Sequence, residues 1–172
     1  MDKNRNDSIV STAYAFAKVI GLQVEQEFAS EGDNNPTILL GVIGSVKEKK
    51  FDTLVKRLSS DLKYTVRTMK VNNSIGRVGL ATGGGFVPII IQEAKEKGCT
   101  TYITGSITPN SSEYSKQTYP AKIEEVKKIG INIIGCSHYL TEKWAMEFSV
   151  PFFQKFCDSE FIEDKIALKR LE

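Results

Sequence analysis

The chain has 172 residues, 41% hydrophobic and 26% charged, with a formal net charge of +2. That length suits one domain with a buried core, and the composition is that of a soluble globular protein rather than a disordered or fibrous one. The only basic block, 47–50, reads as a solvated helix start, so the charge pattern argues against a nucleic-acid partner. Cys99, Cys136 and Cys157 are odd in number, far apart and without a Cys-x-x-Cys pair, which predicts free thiols in a reducing compartment. The polar, charged start at 1–7 does not read as a signal peptide, and no apolar run approaches a membrane span. The cytoplasm is the expected location, with no membrane partner.

Ile9, Ala13, Phe16, Ala17 and Ile20 recur at helical spacing and predict a helix over 8–20, capped by Asp7 or Ser8 and ended by Gly21. The polar stretch 23–37, with Glu-Gly-Asp-Asn-Asn-Pro at 31–36, predicts a turn or surface loop. The apolar run 38–43 predicts a strand, and the stripe Phe51, Leu54, Val55, Leu58 and Leu62 a helix over 48–62. Alternation over 64–71 predicts a strand near a sheet edge, followed by a turn at 72–74. The pattern then becomes regular: a strand at 77–82, a triple-glycine turn at 83–85, a helix at 86–97 with Pro88 in its first turn, and Gly98 closing it. A strand at 100–104, a polar loop through Asn110-Ser111-Ser112, a helix at 120–129 closed by Gly130 and a strand at 131–135 follow. Thr141 is the expected cap of a last long helix at 142–156, interrupted or kinked at Pro151. The tail reads as a short strand at 160–163 and a frayed helix at 166–171. Alternating strands and helices predict an α/β fold, a mainly parallel sheet with helices on both faces. The whole of 1–172 reads as a single domain in which 1–37 is an N-terminal helix and loop.

Three turns each follow a predicted strand: Gly83-Gly84-Gly85, Gly105-Ser106 and Gly135-Cys136-Ser137. If the strands are parallel, these turns share one sheet edge, the edge where open α/β sheets bind ligands. The last turn leads into His138, the only histidine, with Glu142 four positions on. Imidazole and carboxylate are ordinary ligands of a divalent transition metal, although a histidine here can equally serve only to order the turn. Cys136 could add a soft ligand or simply pack in the core. The triple glycine lacks the Lys-Ser or Lys-Thr of a phosphate-binding loop and the spacing of a dinucleotide fingerprint. Trp144, Phe148, Phe152, Phe153 and Phe156 crowd one helix, which either faces a partner subunit or covers a thick core.

The run Arg77-Val78-Gly79-Leu80-Ala81-Thr82-Gly83-Gly84-Gly85, then Glu93-Ala94, Tyr102-Ile103-Thr104-Gly105 and Ile133-Ile134-Gly135-Cys136-Ser137-His138-Tyr139-Leu140-Thr141-Glu142, resembles the second half of the Nif-three-like family, also known as GTP cyclohydrolase I type 2 homologues. The likeness extends over 38–163, and its His-Tyr-x-Thr-Glu signature at 138–142 is fairly specific. The resemblance implies an α/β fold of two similar halves, a two-metal centre between them and a ring-shaped homo-oligomer, usually a hexamer. It implies that His138 and Glu142 are metal ligands, and that Asp2 corresponds to an aspartate ligand that precedes a helix. The chain departs from the pattern in having no early histidines, and in carrying Thr104-Gly105-Ser106 and Pro109-Asn110-Ser111 where the family has Thr-Gly-Asp and a histidine-bearing loop. Two metals need about eight ligand positions, more than these residues offer.

The resulting expectation is a divalent-metal site, complete or incomplete, at His138, Glu142 and Asp2, holding zinc, iron, nickel or manganese. It would serve a metal-dependent hydrolase acting on a small or nucleotide-like substrate through a metal-bound water. The alternative is a non-catalytic, oligomeric binding or assembly module that kept the fold and lost the two-metal centre. The expected partners are copies of the chain itself and a small-molecule substrate.

Overall fold

Val42 and Ile43, Leu80 and Ala81, Tyr102 and Ile103, and Ile133 and Ile134 are neighbours in sequence and all buried. Successive strand side chains point to opposite faces, so each pair requires cover on both sides of the sheet. The computed structural model, which describes residues 11–30 and 39–164, meets this with six strands and five helices among those residues. The strands are β1 (Gln23–Ser30), β2 (Leu39–Ser45), β3 (Arg67–Met69), β4 (Arg77–Ala81), β5 (Cys99–Thr104) and β6 (Asn132–Gly135). The helices are α1 (Thr12–Val19), α2 (Phe51–Asp61), α3 (Pro88–Glu96), α4 (Glu113–Ile129) and α5 (His138–Phe153). Val42, Leu80, Ile103 and Ile134 pack under Phe16 of α1, Leu54 and Leu58 of α2, and Leu140 of α5. Ile43, Ala81, Tyr102 and Ile133 pack under Ile91 and Ala94 of α3 and Val126 of α4.

The sheet order is β1-β2-β4-β5-β6-β3. β4, β5 and β6 are parallel to one another, whereas β1–β2, β2–β4 and β6–β3 are antiparallel. The fold is therefore mixed α/β, and the expectation of a mainly parallel sheet is corrected. Regular βα alternation holds only from β4 onward. No helix separates β1 from β2 among the described residues, and β3 crosses to the far edge to pair with β6. Asn132 fixes that edge, its buried side-chain oxygen accepting from the Val71 and Asn72 amides at 2.7 and 3.0 Å.

Part of the predicted loop at 23–37 is strand β1. It is an edge strand whose Glu25 and Gln26 face solvent, while Phe28 is buried. Charge on an edge suppresses the alternation that reveals a strand, and it also discourages pairing with another chain. Helix α4 starts at Glu113 rather than at Pro120, because Ser112 caps it by accepting from the Ser115 amide at 3.1 Å. Pro120 thus lies inside the helix. Residues 160–163 are not a strand. The helix expected at 166–171 and the caps expected at Asp7 or Ser8 lie outside the described residues. No helix among the described residues is long and apolar enough to cross a membrane.

Candidate metal centre

Helix α5 begins at His138, four residues earlier than predicted, and its cap is Ser137, whose hydroxyl accepts from the Leu140 amide at 3.4 Å. Thr141 is therefore not the cap. It sits in the first turn, fully buried, where its hydroxyl donates back to the His138 carbonyl at 2.9 Å and accepts from the Gly83 amide at 2.9 Å. The early start has a direct consequence for the site. His138 and Glu142 lie one turn apart on the same helix face, where i and i+4 side chains meet. Nε2 of His138 is 3.1 Å from Oε2 of Glu142.

The three glycine-bearing turns do converge. The Ser106 amide donates to the Gly83 carbonyl at 3.1 Å, the Cys136 amide to the Thr104 carbonyl at 2.8 Å, and Gly83 donates to Thr141 as described. Gly83 is the close approach in this arrangement. Its φ is +57°, and a Cβ there would stand 2.0 Å from Oε1 of Glu142 and 3.0 Å from Nε2 of His138. Only glycine lets the β4 turn run directly beneath the two donors. Its amide and that of Gly85 are used internally, the latter on the Thr82 carbonyl at 3.1 Å, so the triple glycine is a packing device more than an anion cradle. Thr82 in turn bonds Thr12 hydroxyl to hydroxyl at 2.7 Å, which brings the start of α1 to this corner. Ser137 holds a non-glycine backbone at φ +75° where the strand gives way to the helix.

The donor pair is open to solvent, with side-chain exposures of 59% for His138 and 40% for Glu142. Among the described residues no third histidine, cysteine, aspartate or glutamate joins them. A zinc or iron centre takes about three or four protein donors, so this pair by itself falls short of one. Cys136 does not complete it. It is fully buried in the core, and burial pushes its thiol well above the ordinary range, which opposes the thiolate a metal needs. Asp2 lies outside the described residues.

A cavity of about 170 Å³ adjoins His138, lined among others by Tyr64, Arg67, Ser106, Thr108 and Ser137. Sequence reasoning missed Arg67 and the latch at Thr141. The first becomes visible only once β3 is paired antiparallel with β6, which sets Arg67 opposite Gly135. The second depends on where α5 starts.

Comparison with protein families finds a match over residues 6–166 to Duf34/NIF3 (NGG1p interacting factor 3). No curated protein matches. Among solved structures, the protein ybgI, of unknown function, is 19% identical with a TM-score of 0.62 over 87% of this chain and 53% of its own. Reduced HcgD from Methanocaldococcus jannaschii is 17% identical with a TM-score of 0.58, over 88% of this chain and 54% of its own. Protein SA1388 from Staphylococcus aureus is 15% identical with a TM-score of 0.61, over 95% and 64%. These likenesses concern the fold, and the chain spans about half the length of ybgI and HcgD. With the family match covering most of its length, the chain belongs to the DUF34/NIF3 family.

Proposed function

We propose that this chain supplies one side of a divalent-metal site, through His138 and Glu142, and that the site serves a metal-dependent hydrolase acting on a small or nucleotide-like substrate. The remaining donors come from outside the described residues, with Asp2 the first candidate, and the metal is zinc, iron, nickel or manganese. The observation that carries this reading is the clearance at Gly83, where a backbone of positive φ leaves room for Oε1 of Glu142 and Nε2 of His138 and for nothing larger than hydrogen beneath them. A pair that merely ordered a turn would not need a neighbouring main chain cleared to that degree. A bound divalent cation would supply Lewis acidity at this corner. The chain's own part is positional: α5 sets the two donors one turn apart, and Thr141 ties that turn to the β4 loop. Two donors alone do not support a hydrolytic step.

The test is metal content after dialysis, measured on the chain and on His138→Ala. Bound metal that disappears in the variant supports the reading. Absence of metal from both overturns it.

A second reading, a non-catalytic module that assembles with copies of itself, is favoured by one separate feature. Phe152, Phe153 and Phe156, at the end of α5 and just beyond it, are 56%, 45% and 75% exposed. Sedimentation of the chain beside Phe152→Ser tests it: an oligomer that dissociates in the variant supports self-assembly through this end of α5, and a monomer in both sinks it.

A further inference from the structure

The cavity beside His138 has a chemistry of its own. It holds about 170 Å³, well under the roughly 300–1,000 Å³ of pockets that enclose a whole small molecule, so it takes one compact group of a larger ligand. Arg67 contributes a permanent positive charge, Tyr64, Ser106, Thr108 and Ser137 contribute hydroxyls, and no carboxylate lines the wall. Of the three described arginines, Arg57 is held by Glu48 and Asp61, and Arg77 by Glu25. Arg67 has no carboxylate partner among the described residues. The Tyr64 hydroxyl, too, is without a hydrogen-bond partner among them. The position is set by the fold. Arg67 opens β3 opposite Gly135, at the carboxyl ends of β5 and β6, and so stands at the edge that also presents His138.

We propose that this cavity seats a phosphoryl group, gripped by the Arg67 guanidinium, and that the ligand of the site is a phosphate monoester whose remainder reaches toward His138 and Glu142. A guanidinium fork satisfies two oxygens of an anion. A carboxylate would then be complete, with the surrounding hydroxyls unused, whereas a phosphate monoester presents a third terminal oxygen to them. Glu142, the nearest acid to His138, faces Nε2 of the imidazole and is not part of the cavity wall. This assignment deepens the proposed function and rests on it for the link to turnover, while binding of the anion itself needs no metal.

The test is titration of the chelator-treated full chain with inorganic phosphate, followed by amide NMR. Saturable shifts are expected at Ser106, Ser137 and His138. Arg67→Gln is expected to weaken binding by roughly tenfold or more, the usual weight of a charge-assisted pair, and Arg77→Gln to leave it unchanged. Arg67→Lys, which keeps the charge and loses the fork, is expected to weaken it by several-fold, and it replaces Arg67→Gln if that variant's spectrum shows loss of fold. No saturable shift, binding unaltered in the Arg67 variants, or an equal response to acetate would each overturn the assignment. Phosphate binding by a chain that takes up no metal refutes the metal reading alone, and metal uptake without phosphate binding refutes only the anion site.

Discussion

Substituting alanine at Gly83 separates the backbone cost of a positive φ from the role of the donor pair, provided it is read beside the same change at Gly130. Both glycines occupy the left-handed region, at +57° and +69°. An alanine there costs about 1–2 kcal/mol. At Gly130 the added Cβ meets open space, so that is the whole effect. At Gly83 the Cβ would lie 2.0 Å from Oε1 of Glu142, and the carboxylate has to retreat. It is the far end of a flexible side chain, and the pair it forms with His138 is half-exposed, so the added loss is at most about 1 kcal/mol. For a domain of this size each kcal/mol corresponds to about 2–4 °C in melting temperature. Gly130→Ala is therefore expected to melt about 2–8 °C below the parent chain, and Gly83→Ala at the same temperature or up to about 4 °C lower still. The imidazole distinguishes them. His138 is the only histidine, so its ring protons give one assignable set of NMR signals. Those signals are expected to move in Gly83→Ala and to stay in place in Gly130→Ala. If the His138 signals of Gly83→Ala overlay those of the parent, or both variants shift them alike, the close packing of Gly83 under the pair is refuted.

Arg57→Met is expected to cost about 2–4 kcal/mol near neutral pH, because it strands the Glu48 carboxylate, whose side chain is 4% exposed, and removes a donor 3.0 Å from the Ile20 carbonyl. Burial alone would raise the Glu48 carboxyl, but the Arg57 hydrogen bond and charge outweigh it and hold the group below the usual range. A depressed carboxyl stabilises the fold above its unfolded pKa of about 4.3 and loses that contribution as pH falls through the folded value. Urea unfolding of the variant and the parent should therefore converge on acidification, and a gap that persists in acid contradicts the argument. Thr141→Val leaves the Gly83 amide without its buried acceptor, at a cost of about 1–3 kcal/mol, and is expected to speed hydrogen exchange at that amide; unchanged exchange would rule out the latch. Cys157 is exposed, whereas Cys99, its thiol pushed up to about 11 by burial, and Cys136 are enclosed. A thiol reagent is thus expected to label one cysteine quickly in the native chain and the other two only after unfolding.

The second half of the chain was legible because its physics is local. β4, β5 and β6 are short apolar runs buried on both faces, the strongest form of strand signal, and the glycines closing α3 and α4 mark helix ends without ambiguity. The three turns could be placed on one edge from that alternation alone. What stayed hidden depends on partners distant in sequence. β1 is polar because it is an edge, and β3, expected as an edge strand within 64–71, takes its antiparallel direction from β6, which no local pattern shows. Both helix starts were misread for one reason. Pro120 and Thr141 are residues that favour a first turn, yet Ser112 and Ser137 do the capping, the latter from a backbone conformation that no sequence pattern advertises. The donor pair was visible as a motif, but its one-turn geometry and the cleared floor at Gly83 were not.

Helix α5 also works as a ruler. Its 16 residues span about 24 Å, with His138 in the first turn and Phe153 in the last. Phe152 stacks edge-on against Phe153 and Phe156, at ring centroid distances of 5.6 and 5.4 Å, so the aromatic cluster is a unit anchored to the far end. Anything seated on those rings is held about a helix length away from the imidazole and carboxylate. Under the two proposed readings, substitutions at the two ends would report on different events, one on association and the other on metal capture, and either could be altered while the other serves as its internal control.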